Sequence, residues 1–382
     1  MVYSPTALIA PLFLRSARGE VASANERALL RQIWRNPGIS RSEVTMRSEL
    51  TQQSVHRLLD QLSERGIIGL GEPKPGLGKG QPSPMLSLNG AYAHSIGISV
   101  NTDIMGICLM DLAGTVLGQG TVSLHGQPVA EALQQAGEVI AGLRNASSLD
   151  PARCFGFGFA IAGYFVGGTR YNASLPLHDW SLIELGPLLS EAFRGPVWVH
   201  NGGSTGAVAE ALFGVGRHIP HFAYLSFNYG FGGGIVSDGD LLVGGNGNAG
   251  EWGPIFKNKV PRPALELLIE RLRANGITIN SITHLQRQFD PNWPAVADWV
   301  DEVAPYYNRL VDSIIGVFDP QAIVFGGQVP PALAEMFIAR TDPPEPARYG
   351  VPRPAVKLIV SEIKGDASAL GAAAVPLKAE FF

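Results

Sequence analysis

The sequence predicts an α/β protein with a small helical domain at its N-terminus. In residues 199–254 an apolar strand is followed by a small-residue turn, a helix, a second strand and a glycine-dense loop, and α/β proteins use this order to bring backbone close to a ligand. Residues 24–66 instead repeat apolar positions at helical spacing. The composition agrees, because 382 residues with 46% hydrophobic residues, 46 Gly and 28 Pro suit a turn-rich protein of two or three domains.

The net charge of −4 is unevenly distributed along the chain. Residues 1–90 contain 11 Lys and Arg against 7 Asp and Glu, whereas the remainder contains 18 against 26. A basic head on an acidic body favours a polyanion as the partner of the head alone, although a solvated surface explains so small an excess equally well.

Cysteine usage and hydropathy indicate a cytoplasmic protein. Cys108 and Cys154 both lie in apolar strand-like runs, which predicts buried thiols rather than a disulfide or a metal site. No apolar stretch is long enough to span a bilayer. The apolar opening of the chain has no basic residue before it, so we interpret residues 1–23 as an arm that packs on the body rather than as a secretory signal.

Three short helices are predicted in the head. The first begins at Ala24 and ends at Asn36-Pro37-Gly38, and Ser40 with Glu43 forms the capping-box signature of the second. The third follows Thr51 and ends at Gly66. Its apolar stripe consists of Val55, Leu58, Leu59 and Leu62.

Two short strands, at residues 67–70 and 85–88, follow the helices and complete the pattern of a winged helix-turn-helix domain over residues 24–90. The alternative is an interaction domain that binds no DNA. Gln and Arg side chains can form bidentate hydrogen bonds with base edges, and Ser and Thr side chains can bind phosphates or bases. The candidate DNA-binding residues are Thr51, Gln52, Gln53, Ser54, His56 and Arg57 in the third helix and Lys79 and Gln81 in the wing.

The body begins with an apolar meander from residue 94 and contains the central segment described above. In that segment Asn201 and Gly202 follow a strand, and Asp238-Gly239 predicts a hairpin turn. The predicted loop at residues 230–234 contains Gly230, Gly232, Gly233 and Gly234, and the segment ends on Ala249-Gly250-Glu251.

These motifs resemble the ROK family, which includes repressors and sugar kinases and has a two-lobed actin-like, hexokinase-like (ribonuclease H-like) ATPase fold. Repressor-type members carry a winged helix-turn-helix before the kinase-like body, as this chain does. The resemblance implies that Asn201, Gly250 and Glu251 bind a sugar, with Asn172 as a further candidate from a sugar-contacting loop. It implies that the glycine loop is a vestige of the phosphate-binding loop.

Three departures from the family pattern argue against kinase activity. The resemblance puts the catalytic Asp at the position of Gly202, and a glycine cannot accept a proton. Residues 99–102 lack the Asp and glycines of the first phosphate-binding turn, and Asp103 is out of register with it. The family's zinc-binding His and Cys cluster is absent after Gly253-Pro254, so we expect no zinc, no other metal and no ATP as cofactor.

The resulting prediction is a transcriptional regulator, in particular a repressor, of carbohydrate uptake or catabolism. Residues 91–200 are expected to form the first lobe and residues 201–382 the second, with the C-terminal helix returning to the first. The expected partners are a double-stranded operator with an inverted repeat, a sugar-like effector and further copies of the chain in a homodimer or homotetramer, with no membrane. An ATP-dependent sugar kinase with an appended DNA-binding domain and a partner-binding protein with a vestigial cleft are the alternatives.

Overall fold

The computed structural model of the protein describes residues 21–74, 83–257, 260–342 and 348–382. Most of the predicted N-terminal arm, and Lys79 and Gln81 of the predicted wing, therefore lie outside the described residues. In the described part of the chain no helix is long and apolar enough to cross a membrane.

The three predicted head helices are confirmed, and each is capped by a side chain. They are α1 (Ala24–Arg35), α2 (Arg41–Arg47) and α3 (Gln52–Glu64). Ser23 and Ser40 each form a reciprocal capping box with the Glu three residues later, and Thr51 accepts a hydrogen bond from the backbone of Ser54. The predicted stripe of α3 is buried, and Gly66 ends this helix with a φ of 72°, as expected for a left-handed cap.

An antiparallel hairpin follows, formed by β1 (Ile68–Lys74) and β2 (Ser83–Leu88). Both strands are longer than predicted. Pro73 and Pro84 pair with each other across a shift in register, and a two-stranded sheet tolerates proline because both of its strands are edges. The segment from α1 to β2 is called the N-terminal domain below, and the remainder is called the body.

The body contains two five-stranded sheets with the same topology. In the first sheet the order is β5-β4-β3-β6-β9, and in the second it is β12-β11-β10-β13-β14. Each begins with an antiparallel meander and adds two parallel strands beyond the first strand of the meander. The strands of the first sheet are β3 (His94–Val100), β4 (Ile104–Asp111), β5 (Val116–Ser123), β6 (Cys154–Ile161) and β9 (Val197–Asn201). Those of the second are β10 (Phe222–Phe227), β11 (Phe231–Ser237), β12 (Asp240–Leu241), β13 (Ala322–Gly327) and β14 (Lys357–Val360).

Helices cover the two sheets, and a separate hairpin projects from the first. The hairpin consists of β7 (Gly163–Gly167) and β8 (Arg170–Ala173). The helices of the body are α4 (Val129–Ala146), α5 (Leu185–Phe193), α6 (Gly202–Phe213), α7 (Leu265–Ala274), α8 (Ile282–Gln288), α9 (Pro294–Phe318), α10 (Pro331–Ala339) and α11 (Ala367–Phe381).

The C-terminal helix α11 packs against the first sheet at backbone distance. A Cβ atom on Gly97 of β3 or Gly158 of β6 would overlap the backbone of α11. On its other side, a Cβ on Gly371 of α11 would overlap the backbone of Thr205 in α6. Glycines at these three positions allow the close approach, as the small residues of this helix predict.

The exact domain boundaries stay a prediction.

Candidate functional site

The third helix of the N-terminal domain presents a polar face to solvent. Gln52, Gln53 and Arg57 are exposed, while Ser54 and His56 are half-buried. The exposed hydroxyl of Thr51 accepts from Ser54 N at 3.3 Å and donates to Ser54 Oγ at 2.9 Å. The hydroxyl of Thr51 therefore caps the helix, and the exposed side chains of Gln52, Gln53 and Arg57 can approach a groove in DNA.

Two other arginines of this domain hold its helices together. Arg41 donates to His56 O at 2.8 Å and to Asp60 Oδ1 at 2.6 Å, which ties α2 to α3. Arg47 donates to Asn36 Oδ1 at 2.7 Å. These contacts fix the orientation of α3 on the rest of the domain.

The body contains a cleft of about 410 Å³ where the carboxyl ends of the parallel strands of both sheets meet. Asn201 ends β9 and caps α6, because its Oδ1 accepts from Gly203 N at 2.6 Å and from Ser204 N at 3.2 Å. Its Nδ2 donates to Glu251 Oε1 at 2.8 Å and to Gly163 O at 2.7 Å. The structure thus brings Asn201 and Glu251 together in the cleft wall.

Glu251 is a partly buried carboxyl group, and its burial raises its pKa above the usual value. Gly250 precedes it with a φ of 88°, and a Cβ there would lie 2.7 Å from Gly234 Cα. A glycine is therefore required at residue 250 both by the backbone angle and by the neighbouring strand. Gly250 shapes the turn that carries Glu251 into the cleft.

Asn172 also lines the cleft, but from β8 rather than from a loop. Its Nδ2 donates to the hydroxyl of Tyr164 across the β7–β8 hairpin at 2.8 Å. The sequence interpretation missed this hairpin, although the Gly167-Gly168 pair between two apolar runs is a turn signal.

The prediction of a glycine loop at residues 230–234 is wrong. Gly230 lies in the turn before β11, but Gly232, Gly233 and Gly234 lie inside this strand, which pairs with β10. A Cβ on Gly203 of α6 would lie 2.6 Å from Gly233 O, and one on Gly234 would lie 2.7 Å from Ala207 Cβ. A Cβ on Gly233 itself would lie 2.0 Å from Tyr224 O and 2.3 Å from Trp252 Nε1, so close packing on α6, β10 and Trp252 explains the glycines at 233 and 234. Gly232 has no such neighbour and lines the cleft.

Gly202 is the first residue of α6 and also lines the cleft. The nearest atom to a Cβ built there is Ser368 Oγ at 3.6 Å, so a Cβ atom would fit there without overlap. The hydroxyl of Ser368, at the start of α11, donates to Gly202 O at 2.9 Å. Close packing therefore does not explain the glycine at this position.

The turn after β3 donates its hydrogen bonds to a carboxylate. Ser99 Oγ and Asn101 Nδ2 both donate to Asp366 Oδ2, the latter at 3.0 Å. Asp366 caps α11 and lines a second cavity, of about 980 Å³, together with Gly326 and Gly327. These two side-chain donors are therefore already bound to the carboxyl group of Asp366.

Asp103, which the sequence places close to this turn, is buried and faces the second lobe. Its Oδ2 accepts from the backbone N of Thr283 in α8 at 3.2 Å. Among the described residues no group of three or more His, Cys, Asp or Glu side chains is arranged to hold a metal ion. His221 Nε2 lies 3.3 Å from Asp238 Oδ1. The absence of a metal cofactor stays a prediction.

The sequence interpretation did not place several residues that line the cleft. Arg262 and Glu266 form an ion pair at its rim, and the burial of Tyr229 beside Glu266 raises the pKa of that phenol. The four-residue spacing of the ion pair is a signal for a helix surface, but nothing in the spacing points to a cleft.

Both parts of the chain are similar to known proteins. A sequence model described as the ROK family matches residues 95–263, and one described as winged helix-turn-helix DNA-binding matches residues 23–68. The chain is 28% identical to an uncharacterized protein, y4fQ, of Sinorhizobium fredii over 94% of this chain and 92% of that one. It is 24% identical to the DNA-binding transcriptional dual regulator NagC of Escherichia coli K12 over 81% of each chain. A xylose repressor of Bacillus spizizenii is 26% identical to this chain, and the match covers 61% of this chain and 60% of that repressor.

Solved structures show the same fold. A ROK family transcriptional regulator, a homolog of E. coli MLC protein, superposes with a TM-score of 0.65 at 21% identity over 94% of this chain and 96% of its own. The ROK hexokinase of Thermus thermophilus gives a TM-score of 0.55 at 21% identity over 74% of this chain and 97% of its own. The predicted two-lobed, sugar-kinase-like body is confirmed by these likenesses, as is the winged helix-turn-helix by its matching model.

Proposed function

The chain joins a winged helix-turn-helix domain to a ROK-family domain, and we propose that it is a DNA-binding transcriptional regulator whose kinase-like body binds a sugar-like effector without phosphorylating it. One observation carries the proposal: the exposed polar face of α3, with Gln52, Gln53 and Arg57, on a domain that packs against a sugar-kinase-like body. Transcriptional regulators of this design, NagC and the xylose repressor, are among its relatives.

The cleft supports a sugar or sugar derivative as the effector. Asn201 and Glu251 lie in hydrogen-bonding contact there, and Asn172 faces the same space from the β7–β8 hairpin. Carboxylate and amide groups are the partners that sugar hydroxyls need. The names of the relatives suggest xylose and N-acetylglucosamine as the first compounds to test.

Two features support binding without phosphoryl transfer. Gly202 supplies no base beside Asn201, although a Cβ atom would fit there. Ser99 and Asn101 donate to Asp366, so an anion already occupies these donors. We therefore propose that neither ATP nor a metal ion is a cofactor. We also propose that the chain forms a cytoplasmic homo-oligomer, which binds an operator with an inverted repeat and represses genes of carbohydrate metabolism.

The substitution Glu251→Ala tests the effector site. DNA that the full-length protein selects from a random pool serves as the probe, and D-xylose and N-acetyl-D-glucosamine are added in turn. A hydrogen bond to a charged carboxylate contributes about 1.5–3 kcal/mol, so Glu251→Ala should weaken the response to sugar by about ten-fold or more. Affinity for DNA without sugar should remain that of the wild type.

The matched control is Glu191→Ala, which removes an exposed carboxylate from α5. It should change neither DNA binding nor the response to sugar. If Glu251→Ala lowers the melting temperature and weakens both activities together, Glu251 supports the fold and is not an effector ligand.

A further inference from the structure

The N-terminal domain is docked on the end of the C-terminal helix. The ring of Trp34 in α1 lies 3.8 Å from that of Phe382, centroid to centroid, and Arg27 donates to Ala379 O at 2.6 Å. Leu29 and Leu30 of α1 belong to the same buried apolar cluster as Phe381. This packing supplies the apolar part of the contact between the N-terminal domain and the body.

At the edge of this contact one carboxylate is surrounded by three cations. Asp240 Oδ2 lies 3.8 Å from Arg31 Nη1 and 3.7 Å from Arg35 Nη2, both in α1, and Asp240 Oδ1 lies 2.6 Å from Lys378 Nζ in α11. Partial burial works to raise the pKa of Asp240, but the three cations together hold it below its usual value.

The charges of Asp240 and its three cations decide whether the N-terminal domain and the body attract or repel each other at this contact. Arg31 and Arg35 belong to the N-terminal domain, whereas Lys378 belongs to the body. Without Asp240, two positive charges of one part would face a positive charge of the other. A partly exposed ion pair contributes little by itself, but its removal here would turn an attraction into a repulsion across the contact.

The β11–β12 hairpin that presents Asp240 begins at the cleft. Phe231 and Gly232 of β11 line the cleft, and the strand then runs seven residues, about 23 Å, to the turn before β12. In this turn Asp238 and Gly239 have φ angles of 55° and 75°, the predicted hairpin geometry. A Cβ on Gly239 would lie 2.9 Å from Arg35 Nη2, so the tip of the hairpin fits closely against α1.

We propose that Asp240 is a positioning residue for DNA recognition: through Arg31, Arg35 and Lys378 it fixes the N-terminal domain on the body, so that the two recognition helices of an oligomer are held at the spacing of paired half-sites. The effect of Asp240 on DNA recognition rests on the proposed function. Its effect on the docking of the N-terminal domain does not, because that concerns only a contact within one chain.

The first experiment measures the docking without DNA or sugar. Nitroxide labels are attached at Met46→Cys in the N-terminal domain and Val317→Cys on α9, whose native residues are 81% and 89% exposed. The background is Cys154→Ser, and Cys108 stays in place because its burial raises its pKa to about 12 and keeps the thiol unreactive. Labelled chains are diluted with unlabelled chains, so that pulsed electron paramagnetic resonance reports distances within one chain.

Wild type and Asp240→Glu should give one narrow distance distribution, and Asp240→Asn should give a broad or displaced one. The matched control is Asp238→Asn, which removes from the same hairpin a carboxylate that contacts His221 of the body and, among the described residues, forms an ion pair with neither α1 nor α11. It should match the wild type. If Asp240→Asn fails to fold, wild type at about 1 M salt provides the test, since screening of the ion pairs should broaden its distribution. A narrow, unshifted distribution under these conditions, or for Asp240→Asn, would overturn the proposal.

The second experiment compares two DNA duplexes, one with a single selected half-site and one with an inverted pair. Asp240→Asn should bind the single half-site within about two-fold of wild type and lose about ten-fold or more on the pair, because linked sites gain affinity only when geometry allows both to engage. An equal loss on both duplexes would mean that Asp240 acts on the stability of the domain and not on its position. If wild type binds neither duplex, the proposed function fails and the distance measurement still decides the docking.

Discussion

At the scale of single residues, Gly202 bears on the choice between the proposed sensor and a kinase, because the family resemblance puts a catalytic Asp at this position. Because a Cβ atom fits at residue 202 and the position lines the cleft, we expect Gly202→Asp to fold, and a thermal melt checks this. The donors of Ser99 and Asn101 remain bound to Asp366, so the variant still lacks a free phosphate-binding turn. We expect no sugar-dependent ADP production in a coupled assay, for wild type or variant, with D-xylose, D-glucose or N-acetyl-D-glucosamine.

The two possible failures of this prediction have different meanings. Sugar-dependent turnover by wild type would support the alternative function, a sugar kinase with an appended DNA-binding domain. Turnover by Gly202→Asp alone would show that the body can still bind ATP productively, and that the missing base is the one barrier to the reaction.

At the scale of elements, α3 should read bases, while the wing should contribute charge. Gln53→Ala and Arg57→Ala should each cost about 1–3 kcal/mol on the selected DNA and relax the preference for it, if each side chain makes a bidentate contact to a base. Lys79→Ala should instead weaken binding to all sequences and reduce the salt dependence. Fluorescence anisotropy on selected and random duplexes at several salt concentrations measures both effects. Equal losses on both duplexes for all three variants would show that α3 is not the recognition helix.

Helices and strands could be predicted from the sequence where their ends carry local signals, but not where contacts between elements decide the residue. The head helices were predictable because their ends carry strong local signals, such as Ser40 with Glu43 and the left-handed Gly66. The glycines of β11 were mistaken for a loop because local propensity disfavours glycine in strands. A Cβ on Gly233 would overlap Tyr224 O and the indole of Trp252, and one on Gly234 would overlap Ala207 of α6. These are contacts between separate elements, which local patterns do not contain.

At the scale of the whole molecule, the sequence predicted two lobes but not how the parts touch. Asn201 and Glu251 are 50 residues apart and were brought into one site by the family resemblance alone. Asp240 had no signal in the sequence, because its partners are 209, 205 and 138 residues away along the chain. Such contacts depend on the relative placement of folded domains, and no local periodicity encodes that placement.

Sequence-specific binding to DNA is tested most directly by selecting genomic DNA fragments with the purified full-length protein at one fixed salt concentration. The Gln53→Ala/Arg57→Ala double variant is the matched control. If the protein is a transcriptional regulator that binds as an oligomer, wild type should enrich a small set of fragments that share an inverted repeat, and the double variant should lose this enrichment. Recovery of the same fragments by both proteins, or no enrichment by wild type, would contradict the claim.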